Sequence, residues 1–112
     1  MKRFTFTIEP YGQQIIVYFG YTPSTMRRVV KQYDYPELEP EKNAVYYCDD
    51  VPEITILLAR HRYKINFVGT IAHEAFHVVQ RMSVLFELSM DDIESCAYLE
   101  EYVVKKIYEG CK

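Results

Sequence analysis

Three cysteines in 112 residues, Cys48, Cys96 and Cys111, are an odd number and form no C-x-x-C pair. That spacing excludes a disulfide framework and a cysteine zinc ribbon, so all three read as reduced thiols. No apolar run is long enough for a signal peptide or a membrane helix, because the opening residues alternate and are soon interrupted by Glu9 and Pro10. A cytosolic chain with no membrane partner is expected. Basic clusters are nearly absent too: beyond Arg60-His61-Arg62 nothing offsets a net charge of −3. The chain therefore lacks the electrostatic footprint of a nucleic-acid binder. Repeats and low-complexity segments are missing, and the length leaves no room for a second core, so one domain over residues 1–112 is expected.

The elements that remain give an α+β order. Residues 3–8 alternate with period two, residues 14–21 are rich in β-branched and aromatic side chains, and Pro10-Tyr11-Gly12 between them is turn chemistry, so a β-hairpin is expected. Thr22-Pro23-Ser24 caps a short amphipathic helix ending near Asp34, followed by an acidic, proline-bearing loop over 35–42. Two strand-length apolar runs, 44–48 and 54–59, flank a turn at 49–52. If the second run forms an exposed edge strand beside the cleft, it could align an extended peptide by β-augmentation; the other reading of it is core sheet. A helix from about Asn66 into the mid-80s and a last helix from the caps near Asp91 and Asp92 to Gly110 complete the chain.

The chemistry lies in His73-Glu74-Ala75-Phe76-His77, an H-E-x-x-H pattern. On a helix His73 and His77 stand one turn apart on one face, so both imidazoles can converge on one metal ion with Glu74 beside them. This is the arrangement of a zinc hydrolase. Val68, Ile71, Ala72, Ala75, Val78, Val79 and Met82 recur at three and four as the apolar stripe, leaving His73, Glu74 and His77 on other faces.

A catalytic zinc takes three protein ligands, so a third is needed. His61 is upstream, and Gln80 and Ser83 stand where a further glycine and histidine would continue the metzincin pattern, which leaves a carboxylate. The choices are Glu87, Asp91, Asp92, Glu94, Glu100 and Glu101. Glu87 falls at the end of the motif helix, and capping explains Asp91 and Asp92. Glu94 ranks first, one turn into the last helix beside its apolar stripe of Ile93, Cys96, Ala97, Val103, Val104 and Ile107; Asp91 and Glu101 follow.

These two motifs, Thr70 to His77 and Glu94-Ser95-Cys96-Ala97-Tyr98, resemble the gluzincins, and the length resembles their minimal versions, the minigluzincins and small phage-encoded metallopeptidases. The resemblance covers about residues 54–100. It implies a small zincin-like fold, Zn2+ held by His73, His77 and Glu94, Glu74 as general base, and a peptide or protein substrate. A C-terminal subdomain is missing, so the residue that stabilises the transition state has no direct counterpart; Tyr98 and His61 are its stand-ins. Two rivals stand beside this reading: a catalytically weak or latent zinc-binding interaction module on the same scaffold, and a structural protein whose histidines hold no metal.

Overall fold

A computed structural model of the chain describes residues 2–20, 24, 28, 44–48, 53–61 and 63–112, with the backbone alone for 44–48. The helix expected over 22–34 lies outside the described residues except for Ser24 and Arg28, both helical, and so do the loop at 35–42 and the turn at 49–52 apart from their flanks.

The hairpin forms as its alternation requires. β1 (Lys2–Ile8) pairs antiparallel with β2 (Gln13–Phe19), from Lys2↔Phe19 to Ile8↔Gln13, around a turn in which Gly12 takes φ +69°. That left-handed conformation costs glycine little. β1 turns Phe4, Phe6 and Ile8 toward the core and leaves Lys2, Arg3, Thr5 and Thr7 in solvent.

Ile15 to Phe19 of β2 and Ile54 to Leu58 of β4 (Glu53–Leu58) are buried at every position. Unbroken apolar runs of this kind belong to strands covered on both faces. The sheet order is β1-β2-β4-β3, with β4 parallel to β2 and antiparallel to β3 (Ala44–Cys48). Of the two readings of 54–59, an edge strand or core sheet, the second holds: both edges of β4 are taken by neighbours, and among the described residues the outer strands are β1 and β3. An alternating strand tolerates an edge, whereas Ile54, Ile56, Leu57 and Leu58 would leave apolar surface in water there.

α1 (Lys64–Leu85) and α2 (Ile93–Gly110) pack on the face formed by Ile15, Val17, Ile54 and Ile56. Ile71, Ala75, Val78 and Met82 of α1 and Val103 and Ile107 of α2 join these residues in one cluster. Each fully buried aliphatic side chain contributes about 1.5–3 kcal/mol, which fixes how α1 is rotated about its axis. α1 closes with Leu88 N–H donating to the Ser83 carbonyl at 3.0 Å around Glu87, whose φ is +54°. α2 opens on Asp92, whose carboxylate accepts from Ser95 N–H at 3.1 Å and from the Ser95 hydroxyl at 2.8 Å, and these bonds lower its pKa. At the other end α2 comes so close to β1 that a Cβ on Gly110 would fall within the ring of Phe4. Neither described helix is long and apolar enough to cross a membrane.

The apolar stripe expected along all of α2 holds only in its second half. Val103 and Ile107 are fully buried and Val104 partly, but Ala97 is exposed and Ile93 is 75% exposed, because α2 starts beyond the edge of the sheet-facing core. Urea unfolding should separate the halves: Ile107→Ala costs about 2–5 kcal/mol, and Ile93→Ala stays within about 0.5 kcal/mol.

Candidate functional site

The core stripe decides where the motif residues point. With Ile71, Ala75, Val78 and Met82 seated on the sheet, His73 is carried to the exposed side of α1 and His77 to a half-buried position beside it. Their Nε2 atoms are 3.3 Å apart, with the rings edge-on at 4.9 Å between centroids. Two Zn–N bonds of about 2.05 Å at the tetrahedral angle hold their nitrogens about 3.3 Å apart. The imidazole pair therefore fits two corners of a zinc tetrahedron.

Glu74 was expected off the apolar stripe with the histidines. Instead it is 5% exposed, at the margin of the core, since one residue past His73 the helix has turned about 100° toward Ile71 and Ala75. Its Oε2 is buried and has no hydrogen-bond partner. Burial pushes its pKa up, opposed by the nearby imidazoles of His77 and His73. An unsatisfied buried carboxylate oxygen costs about 1–3 kcal/mol or more, and such groups concentrate where proton transfer is needed. The donor set of two imidazoles and an adjacent carboxylate suits a divalent cation with a base beside it.

The third ligand is not brought to this pair. Among the described residues no group of three or more His, Cys, Asp or Glu side chains is poised to hold a metal ion. Glu94 is exposed in the first turn of α2, where its charge complements the helix dipole. Asp92 is the cap, Asp91 is exposed next to it, and Glu101 is held at the surface by Lys105 at 2.8 Å. Of these carboxylate residues Glu100 is the half-buried one, lining a groove of about 250 Å³ with Phe76, Val79, Met90, Ile93 and Ala97. Its signal was present in the chain: Glu100 precedes Val103, Val104 and Ile107 by three, four and seven, the spacing of one helix face.

Neither stand-in for a transition-state stabiliser is gathered with the histidines. Tyr98 is 67% exposed and lines a depression with Pro10 and Tyr11 of the hairpin turn, on the side of α2 away from Phe76. His61 packs 5.8 Å from the ring of Phe67 near the start of α1. Cys96 is half-buried, its thiol donating weakly to the Ser89 carbonyl at 3.6 Å.

Compared with protein-family models, with curated proteins and with solved structures, the chain matches none of them.

Proposed function

We propose that the chain is a zinc-dependent peptidase with a zincin-like site. The observation that carries the reading is the His73–His77 pair, with its Nε2 atoms 3.3 Å apart beside the buried, unpartnered carboxylate of Glu74. His73 and His77 would hold Zn2+ with a carboxylate from α2, Glu94 by the motif. Zinc, when bound, lowers the pKa of water and polarises a carbonyl. Glu74 would take the proton of the attacking water and deliver it to the leaving amine, from a buried position beside both imidazoles. Because β4 is interior, the strand available to an extended peptide on the α1 side is β3, which packs beside α1 and has no outer neighbour among the described residues.

A second reading, a zinc-binding module with little or no turnover, is favoured by one observation: Glu94 is exposed and apart from the histidines. Elemental analysis of protein purified without added zinc, run beside a broad peptide-cleavage profile, separates the readings. Zinc with cleavage supports the peptidase, zinc without cleavage the module, and no zinc a structural role.

Three outcomes are expected. Glu74→Gln keeps shape but cannot accept a proton, so zinc stays bound while turnover falls about 10²–10⁴-fold; undiminished cleavage would remove the mechanism. Glu94→Ala weakens zinc affinity as His73→Ala and His77→Ala do, and if Glu100→Ala does so instead, the third ligand is Glu100. Zinc joining α1 to α2 adds its binding energy to folding, so a chelator lowers the melting temperature of wild type but not of His73→Ala.

A further inference from the structure

His61, the histidine of the basic cluster in the sequence, is not gathered with His73 and His77 and leads instead to a second site. Where the start of α1 meets the end of α2, an open pocket of about 350 Å³ is lined by His61, Lys64, Phe67, Tyr108, Cys111 and Lys112. No carboxylate side chain is among them, in a chain whose net charge is −3. Lys64 Nζ and Lys112 Nζ stand 5.6 Å and 5.3 Å from the centroid of the same Tyr108 ring, and neither has a carboxylate partner among the described residues.

Two ammonium groups beside one ring make this wall of the pocket cationic, and an anion within reach of both would be attracted by each. The ring attracts each of them, but it carries no net charge to cancel theirs. His61 Nε2 is buried and has no hydrogen-bond partner, a cost that a polar ligand atom would remove. Burial pushes the Cys111 thiol up to about 11, so it adds no negative charge near neutral pH. The Lys112 backbone oxygen is engaged by Lys2 Nζ at 2.9 Å. α1 also begins here without a side-chain cap or an acid in its first turn, so no acid of its own offsets the positive end of its dipole, while the end of α2 brings the opposite sign.

We propose that this pocket binds a small oxyanion, a phosphate or carboxylate group, held by the Lys64 and Lys112 ammonium groups and a hydrogen bond from His61. The phenyl and phenol rings of Phe67 and Tyr108 form its apolar wall. This site shares no residue with the proposed zinc ligands or the general base; its His61, a stand-in for the transition-state stabiliser by the sequence, is not gathered with His73 and His77.

The test titrates inorganic phosphate, and separately acetate, into the full chain at ionic strength held constant with chloride, following the backbone amide resonances of Lys64, Phe67 and Cys111. Saturable shifts with a Kd on the order of 1 mM are expected for at least one of the two anions. The response to each anion tells which oxyanion chemistry the pocket prefers. The double substitution K64Q/K112Q, at two exposed positions, should weaken binding at least about tenfold, and His61→Asn should weaken it less. Lys106→Gln, on the ring of Tyr102 instead, should leave it unchanged. Shifts that do not saturate for either anion, or saturable binding of unaltered affinity in K64Q/K112Q, would overturn the proposal.

Discussion

The seating of one stripe of α1 in the core governs what this protein can do chemically. Ile71, Ala75, Val78 and Met82 repeat at intervals of three and four, so a single rotation of the helix buries all of them against Ile15, Val17, Ile54 and Ile56. Once that rotation is set, neighbouring residues have no freedom of placement. His73 and His77 are carried out to a shared face, and Glu74 is carried in to the margin of the core. Burying a carboxylate with one oxygen unpaired opposes folding, and the aliphatic contacts of the same helix offset it. The site thus inherits its strained electrostatics from the packing: a carboxylate pushed toward the proton by burial and pulled back by two imidazoles.

Much of this was legible in the chain because it depends on local period. Alternation at Phe4, Phe6 and Ile8 and a positive-φ glycine at the turn specify the hairpin, the three-and-four repeat specifies α1, and Asp92 announces the start of α2. The proximity of His73 and His77 also follows from helix geometry alone. What stayed open depends on contacts distant in sequence. Which of the two apolar runs, 44–48 or 54–58, lies at the sheet edge is decided by pairing with β2, forty residues away from β4 in the register Ile15↔Ile54 to within one, and no local pattern encodes it. Even so, the absence of alternation in Ile54-Thr55-Ile56-Leu57-Leu58 was a usable warning that both faces would be covered.

The burial of Glu74 illustrates a subtler limit. A helical wheel sorts residues into faces about 100° apart, and Glu74 falls at the boundary between the core stripe and the histidine face. Whether such a residue is wet or dry depends on how far neighbouring elements rise around α1, here β3 and β4. Composition and spacing do not carry that information. The same reasoning applies to α2, where Ile93 and Ala97 obey the apolar period and remain exposed because the core ends before it reaches them.

The two halves of α2 are held by different forces, and this bears on the third ligand that the proposed zinc site would need. Its second half is fixed by Val103 and Ile107 in the core and by the close approach of Gly110 to Phe4. Its first turns rely on the Asp92 cap and on Cys96 against Ser89 and Met90, with Leu99 the first residue to pack against the core, contacts worth little beside fully buried aliphatic surface. Glu94 belongs to the weakly held half, and Glu100 adjoins the strongly held one. A ligand at Glu94 would gain its position only with the metal bound, coupling the start of α2 to α1 and drawing on metal binding for order that apolar burial does not supply. A ligand at Glu100 would be preorganised by the core, as the histidines are, and metal removal would then disturb the first turns of α2 much less.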